Sequence, residues 1–250
     1  MFPILQIGPL SVQTPALILL IGIWAGIFIA EKAAERIGVS QNKISNLAFY
    51  AGLGSIIGAR LTFLLRYPSV ILDRPFSALS LNPLLLDWEG GVLVGILVAV
   101  VYGQQRNLPL WKTLDTFTPM FALMVVAFGV ARLASGEGYG IPTTLPWKIP
   151  LWGADRHPTQ IYEALIGVGL FALVIWWIYS REDAPAGVIF LRFSAALASA
   201  NLFVDTMRAD TPILQNGIHI VQILSWLVLA VSFYLWLRKA GETSTAEPEI

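Results

Sequence analysis

The side chains best suited to chemistry in this 250-residue chain lie in one polar stretch, residues 129–163. The stretch is rich in Gly, Pro and Trp, it lies between two strongly apolar segments, and its ionisable groups include Arg132, Glu137, His157 and Glu163. Ionisable groups beside apolar segments are costly to bury and therefore mark functional sites. Carboxylates and a histidine are suited to proton transfer, and arginine is suited to binding an anion.

The densest part of this stretch is RHPTQIYE at residues 156–163. If a helix begins near Pro158, then Thr159, Tyr162 and Glu163 lie on the same side of it, because residues three and four positions apart are neighbours. Gln160 then points elsewhere on the first turn. The alternative is that these groups only cap and anchor a helix where it enters a membrane.

A glycine-rich stretch, RLASGEGYG, begins at Arg132. Its Gly136, Gly138 and Gly140 predict a tightly folded backbone, and exposed amides near Arg132 could hold a phosphate oxygen. The alternative is a flexible loop with a surface ion pair. Neither a P-loop nor a dinucleotide fingerprint is indicated, since the strand and the spacing are missing.

Two further ionisable groups lie in or beside apolar runs. Arg60 follows the small-residue run GSIIGA, and an arginine at such depth faces a polar cavity, pairs with a carboxylate or reaches the membrane surface. Glu89 opens EGGVLVG, where it is either functional or a solvated first-turn carboxylate that the helix dipole favours.

Near the end of the sixth apolar segment, Asp205 and Arg208 are three residues apart. If the two have no functional role, this spacing favours an intrahelical ion pair between them. His219, at the start of the seventh segment, is interpreted as an interfacial anchor.

Composition defines the class of protein. The chain is 56% hydrophobic and only 13% charged, which is typical of a membrane protein rather than a soluble domain. A net charge of zero gives no indication of nucleic acid as a partner. The absence of cysteine excludes a cysteine nucleophile and disulfides, and two histidines are too few for a typical transition-metal site. No basic region precedes the first apolar stretch, so no cleaved signal peptide is expected.

We predict an all-α polytopic membrane protein with about seven transmembrane helices. The apolar segments lie at residues 16–30, 44–65, 91–102, 111–131, 158–179, 186–207 and 219–237. Lysine and arginine in the short loops favour an N-terminus outside and a cytoplasmic C-terminus. Residues 1–240 are then one membrane domain with an extracytoplasmic loop region around 132–157, and residues 241–250 are a polar, disordered tail.

From the residues alone, several arginines and a few carboxylates gather near the outer leaflet, which indicates an enzyme or a transporter that handles anionic lipid. At its motifs, the sequence also resembles the prolipoprotein diacylglyceryl transferases. The matching pieces, in family order, are FPILQIGPLSV, GARL, GG-x-L-x-G, SGEGYGIPT, RHPTQIYEA and VDTMRAD. RHPTQIYE is the most specific of them.

The resemblance implies an activity, which is transfer of the diacylglyceryl group of phosphatidylglycerol to the lipobox cysteine thiol of a preprolipoprotein, with release of glycerol phosphate. The implied partners are phosphatidylglycerol, the preprolipoprotein signal peptide and the bacterial inner membrane, with no metal, no cofactor and no nucleic acid. We expect catalytic roles for Glu89, Glu137 and His157. We expect substrate-binding roles for Arg60, Arg132, Gln160, Tyr162 and Arg208.

Several positions depart from the family pattern. Glu89 stands where the family usually has His, and Gly129 stands where it has Arg. Arg132, one helical turn further on, is a candidate to supply the same cation from the same face. Asn201 replaces another family Arg. Two functions remain open here: a transferase with a rebuilt site, or a catalytically altered homologue that binds phospholipid. A small transporter is a third, disfavoured by the lack of internal repeats.

Overall fold

The computed structural model describes residues 4–7, 10–69, 86–180, 184–212 and 219–244. These residues contain seven helices of at least 18 residues, which confirms the predicted all-α class and the number of helices. In chain order they are α1 (Thr14–Ile37), α2 (Gln41–Arg66), α3 (Trp88–Gln105), α4 (Leu110–Ser135), α5 (Thr159–Tyr179), α6 (Val188–Asp205) and α7 (Ile220–Ser244).

Six of these helices are long and apolar enough to cross a membrane by length and composition. The seventh, α3, is 18 residues long, with Glu89 near one end and two glutamines at the other. The chain is therefore a multi-pass membrane protein.

The first helix is longer than its apolar segment predicted. The charged residues that follow residue 30 continue α1 to Ile37, because Glu, Lys, Ala and Arg are strong helix formers in their own right. Gly38, with a φ of 78°, then ends the helix in the left-handed conformation that glycine adopts without strain. The last helix likewise continues to Ser244, and residues 245–250 of the predicted polar tail lie outside the described residues.

The chain divides into two compact units, a small unit of residues 38–113 and a large unit of residues 1–37 and 114–250. In the small unit, glycines let α2 and α3 pack closely. A Cβ atom added at Gly54 would lie 2.7 Å from Val98, one added at Gly58 would meet Val94, and one added at Gly91 would lie 3.0 Å from a backbone oxygen of α2. The motif pieces GARL and GG-x-L-x-G therefore meet at one small-residue helix interface.

We expect Gly58→Ala to destabilise this interface by about 1–3 kcal/mol, because the new methyl group overlaps the branched side chain of Val94 and approaches the Gly90 carbonyl oxygen to 3.0 Å. The matched control is Gly52→Ala on the same helix, where nothing lies within 4 Å of an added Cβ. A lower thermal midpoint in detergent for the first variant alone is the expected result. Equal midpoints for the two variants would contradict this account of the interface.

In the large unit, α4 and α5 approach closely at two glycines. A Cβ atom added at Gly129 would lie 2.7 Å from the Ala164 backbone nitrogen. One added at Gly167 would lie 2.7 Å from the Val126 backbone nitrogen. The same unit contains an apolar core formed by side chains of α1, α4, α5 and α6. Its buried members are Ala33, Ala122, Leu170, Val174, Ile178, Ile189 and Phe193.

A buried carboxylate on α4 holds the start of α6. Asp115 is 3% exposed and accepts hydrogen bonds from the backbone amides of Gly187, at 2.5 Å, and Phe190, at 2.8 Å. The first amides of a helix have no partners within the helix, and a negative charge there also complements the helix dipole. Asp115 is therefore explained by its structural role.

Two short hairpins, which the apolar segments did not predict, flank the helices. Strand β1 (Ile4–Ile7) pairs with β2 (Leu10–Gln13) just before α1. Strand β3 (Ile149–Leu151) pairs with β4 (Ala154–Arg156) just before α5. The second hairpin turns through Trp152 and Gly153, with φ values of 54° and 75°. Two consecutive positive φ values are typical of the tightest hairpin turns, and they leave Trp152 at the tip.

Candidate functional site

Two arginines converge on one carboxylate in the large unit. Arg132 Nη1, in the last turn of α4, donates to Glu163 Oε1 on α5 at 2.6 Å. Arg208 Nη1, just after α6, donates to the same oxygen at 3.1 Å. The side chain of Arg132 is 36% exposed, whereas those of Arg208 and Glu163 are each 11% exposed. Arg132 is therefore the most solvent-accessible member of this charge cluster, whose other two side chains are largely buried.

The close approach of α4 and α5 explains this pairing. Gly129 lies against Gln160 and Ala164, so one turn further along α4 the side chain of Arg132 meets Glu163. A side chain at position 129 would overlap the α5 backbone, since an added Cβ would lie 2.7 Å from one backbone atom and 2.8 Å from another. An arginine at position 129 is therefore incompatible with this helix crossing.

A tight glycine turn lies directly against both guanidinium groups. Gly136 and Gly138 have positive φ values of 82° and 66°, as the glycine-rich sequence predicted. A Cβ atom added at Gly138 would lie 2.7 Å from Arg208 Nη2 and 3.0 Å from Arg132 Cδ. The turn therefore needs glycine for its conformation and for the space that the two arginines occupy.

The groups that hold this turn come from two other parts of the chain, the start of α5 and the segment after α6. The Gly138 amide donates to Asp210 Oδ2 at 2.6 Å, and the Gly138 carbonyl accepts from Thr159 Oγ1 at 2.5 Å. Gln160 Nε2 donates to the neighbouring Glu137 carbonyl at 2.9 Å. This differs from the expectation that Gln160 points away from Thr159, because both side chains reach adjacent carbonyls of one turn.

The backbone amides of the turn do not form the expected phosphate site. The amides of Gly136, Glu137 and Gly138 donate to Arg132, Ser135 and Asp210, respectively. They are already used in holding the loop, so they are not available to bind a phosphate oxygen.

Short backbone bridges join the three motif pieces of this region. Gly140 pairs with Arg208, and Pro142 pairs with Arg156. The Ile141 amide donates to the Met207 carbonyl at 2.9 Å, and the Ile141 carbonyl accepts from the His157 amide at 3.1 Å. SGEGYGIPT therefore lies between VDTMRAD and RHPTQIYEA.

His157 and Tyr162 form a small aromatic group beside the turn. His157 Nδ1 lies 3.4 Å from the Tyr162 hydroxyl, which also accepts from Trp147 Nε1 at 2.7 Å. An added Cβ at Gly140 would lie 2.6 Å from His157 Cβ, so close packing also fixes the position of the histidine. Glu137 is exposed and projects from the same loop.

The other two predicted site residues lie in the small unit. Arg60 is buried, 9% exposed, and its guanidinium carbon lies 5.7 Å from the Phe63 ring centroid. The Glu89 side chain is 59% exposed and pairs with Arg66 at 3.2 Å, while Arg66 also pairs at 2.7 Å with Asp87, which caps α3. Within its own unit, Glu89 thus occupies an exposed ion pair.

Several polar groups took roles that the sequence did not indicate. Glu163 was noted only as a neighbour of Tyr162, yet it is the acceptor that joins the two arginines. The expected ion pair between Asp205 and Arg208 is wrong. Arg208 pairs instead with Glu163 at 3.1 Å and Asp210 at 3.6 Å. Asp205 pairs with His219, the residue that precedes α7.

Two buried oxygens face this cluster without a hydrogen-bond partner in the described part of the chain. They are Gln160 Oε1 and Glu163 Oε2. Unsatisfied buried acceptors are uncommon and are expected at sites that receive a ligand donor or water. Among the described residues, no group of three or more His, Asp or Glu side chains is arranged to hold a metal ion.

Comparison with known proteins places these features in context. A sequence model of the family described as prolipoprotein diacylglyceryl transferase matches residues 3–238. The phosphatidylglycerol–prolipoprotein diacylglyceryl transferase of Synechococcus elongatus is 26% identical, covering 92% of this chain and 83% of its own length. The proteins of that name from Solidesulfovibrio magneticus and Photobacterium profundum are 29% and 27% identical, covering 97% and 95% of this chain and 96% and 93% of their own lengths.

Proposed function

The chain belongs to the prolipoprotein diacylglyceryl transferase family, and we propose that it transfers the diacylglyceryl group of phosphatidylglycerol to the lipobox cysteine thiol of a preprolipoprotein. In this reaction the thiol sulfur forms a bond to the glyceryl carbon, and the bond from that carbon to the phosphate oxygen breaks. The thiol proton passes to a base, and the bonding electrons leave with glycerol phosphate. The nucleophile arrives with the substrate, so a chain without cysteine is compatible with the reaction.

The observation that carries the proposal is the pair of arginines on Glu163. One of the Arg132 N–H donors is bound to Glu163, which leaves its partly exposed side chain with further donors for a phosphate oxygen. Arg208 donates to the same carboxylate oxygen, Glu163 Oε1. Because the guanidinium groups are already oriented, they stabilise charge that develops on the departing phosphate without reorganising first.

The charge balance suits a site that binds and then releases an anion. Arg132, Arg208, Glu163 and Asp210 sum to zero formal charge, so the cluster needs no bound ion to be neutral. A phosphate diester approaching Arg132 competes with Glu163 for the same guanidinium. Phosphate binding is thereby kept reversible, as product release requires.

The remaining predicted site residues keep their proposed roles. Glu89, Glu137 and His157 are proposed as acid–base groups. Arg60 is proposed as a further cation for the lipid headgroup. Gln160 and Tyr162 are proposed to orient the substrate, Gln160 through its buried Oε1, which has no hydrogen-bond partner among the described residues, and Tyr162 through its hydroxyl.

The proposal also fixes an orientation in the membrane. The loop region around residues 132–157 is extracytoplasmic, the N-terminus lies outside and the C-terminus lies in the cytoplasm, as the lysine and arginine distribution favours. The membrane is the bacterial inner membrane. The protein partner is the signal peptide of the preprolipoprotein, whose lipobox cysteine must reach the same leaflet as the phosphatidylglycerol headgroup.

A direct assay tests the proposed function. Purified protein is given phosphatidylglycerol vesicles and a lipobox peptide, and the product is measured as peptide with a thioether-linked diacylglyceryl group. The Synechococcus elongatus relative serves as the positive control. Product formed by this chain supports the transferase. Binding of phosphatidylglycerol without product, under conditions where the control turns over, would support the phospholipid-binding alternative instead.

A further inference from the structure

A buried aspartate and a histidine form a close pair near the arginine cluster. His219 Nδ1 lies 2.7 Å from Asp205 Oδ2 and 2.8 Å from Thr211 Oγ1. Asp205, the last residue of α6, is 2% exposed, and the side chain of His219 is 16% exposed. In the described residues, both of these hydrogen-bond contacts of the His219 ring are made through Nδ1. The proposed roles above use neither Asp205 nor His219.

The chemistry of the pair determines which nitrogen carries the proton. An ionised carboxylate only accepts hydrogen bonds, so Nδ1 must be the N–H donor to Asp205. In the neutral ring, the proton is then on Nδ1 and the lone pair is on Nε2. A carboxylate that accepts a hydrogen bond from Nδ1 thereby fixes the tautomer of the histidine. It also stabilises the imidazolium that forms when Nε2 takes a proton. Such a pair is a general base with its accepting atom turned away from the carboxylate.

The pair lies next to the proposed phosphate cations in the chain. Arg208 follows Asp205 by one turn, and its amide donates to the Asp205 carbonyl at 3.1 Å. Arg208 forms ion pairs with Asp210 and Glu163, while His219 pairs with Asp205. The reacting sulfur must approach the carbon adjoining the phosphate oxygen, so its base must lie beside the cations that hold that phosphate.

A purely structural pairing leaves one feature unexplained. Asp205 Oδ1 is buried and has no hydrogen-bond partner among the described residues. Joining α6 to α7 would not require a buried carboxylate with one oxygen unsatisfied, since such an oxygen is destabilising.

We infer that His219, held by the carboxylate of Asp205, is the group that removes the proton from the lipobox cysteine thiol. This inference rests on the proposed transferase function. The S–H proton passes to Nε2, the sulfur bonds to the glyceryl carbon, and the carbon–oxygen bond to phosphate breaks. The imidazolium then returns its proton to solvent or to the released glycerol phosphate.

The primary test compares His219→Gln with Thr206→Ala in the full-length protein, assayed with phosphatidylglycerol vesicles and a lipobox peptide. Thr206 is exposed and lies next to Asp205, so it controls for local disturbance. We expect His219→Gln to lower kcat at pH 7 by roughly a hundredfold or more, the usual contribution of a general base. We expect its KM for phosphatidylglycerol to stay within about twofold of wild type. Thr206→Ala should keep the wild-type rate.

The pH profile separates a base from a structural residue. A cysteine thiol in a peptide has a pKa of about 8.5, so at higher pH it ionises without help. The deficit of His219→Gln should therefore shrink steadily as the pH is raised from 7 to 9.5. Asp205→Asn, which tests a positioning role, should show a smaller deficit with the same pH trend. A wild-type rate for His219→Gln, or a deficit that is constant with pH, would overturn the inference.

A measurement on the unaltered protein covers the case in which the variants do not fold. The chain has two histidines, so a spectrum of ¹⁵N-labelled imidazole contains two rings. We expect the His219 ring to carry its proton on Nδ1, with that proton shifted downfield by the carboxylate; His157→Gln assigns the signal. A neutral ring protonated on Nε2 would overturn the inference. Failure of wild-type protein to form any product would instead refute the proposed function, which keeps the two failures distinct.

Discussion

Arg132→Ala is expected to lower the transfer rate by roughly a hundred- to a thousandfold, the range typical for removing one donor from charge that develops in a transition state. Arg132 is the partly exposed arginine of the pair on Glu163, so it is the one placed to contact a lipid phosphate. Arg132→Lys keeps the charge but lacks the planar fork of donors. We therefore expect the lysine variant to lose at least tenfold as well, because a point charge does not replace two-point phosphate contact.

The assay for both variants is the peptide transfer reaction with phosphatidylglycerol. The matched control is Arg36→Ala, since Arg36 is an exposed arginine at the end of α1 and has no part in the proposed site. Its rate should equal that of the wild type. Unchanged kinetics in Arg132→Lys would remove two-point phosphate binding from the mechanism, and unchanged kinetics in Arg132→Ala would remove Arg132 from the site altogether.

Gly129→Ala is expected to abolish most activity although position 129 carries no functional group. The added methyl group would lie 2.7 Å from the Ala164 nitrogen and 2.8 Å from the Gln160 carbonyl oxygen. These are backbone atoms of α5, so the helices must separate to admit it. Separation moves Arg132 away from Glu163, and displacement of a positioning group by about 1 Å can cost about a hundredfold in rate. The overlap itself should destabilise the fold by about 1–3 kcal/mol.

The control for this substitution is Gly169→Ala on α5, where nothing lies within 4 Å of an added Cβ. Thermal midpoints in detergent and transfer rates are measured for both variants. We expect Gly169→Ala to match the wild type in both and Gly129→Ala to fall in both. If Gly129→Ala retained wild-type stability and rate, the close helix crossing would not be what positions the arginine.

The fold was largely predictable because it follows from apolar length. Each of the seven apolar segments became a helix, since a chain in lipid must satisfy its backbone hydrogen bonds within the segment. The ends of the helices were less predictable. α1 continues through charged residues to Ile37, because their helix propensity is high although they are polar. The hairpin before α5 was missed, because three-residue strands such as Ile149–Leu151 leave too short a pattern to recognise.

The candidate site was predictable as a neighbourhood but not as a set of partners. Arg132, Gln160 and Arg208, which were proposed from the motifs, do lie together around the glycine turn. The motifs locate them because the same residues contact or hold the turn. Which carboxylate pairs with which cation depends on tertiary packing. Asp205 was assigned to the arginine three residues away, whereas the folded chain pairs it with His219, fourteen residues away.

The way the glycine turn is held has a consequence for how the protein is made. The Gly138 amide binds Asp210, 72 residues later in the chain, and Glu163 receives Arg208 from 45 residues later. A ribosome delivers Arg132 and Glu163 to the membrane well before it delivers either of those partners. The turn and the second arginine therefore come into place only after α6 has been synthesised and inserted. A chain that stalls during translation before that point lacks the completed arginine cluster on Glu163, so the proposed transfer reaction requires finished biogenesis of the chain.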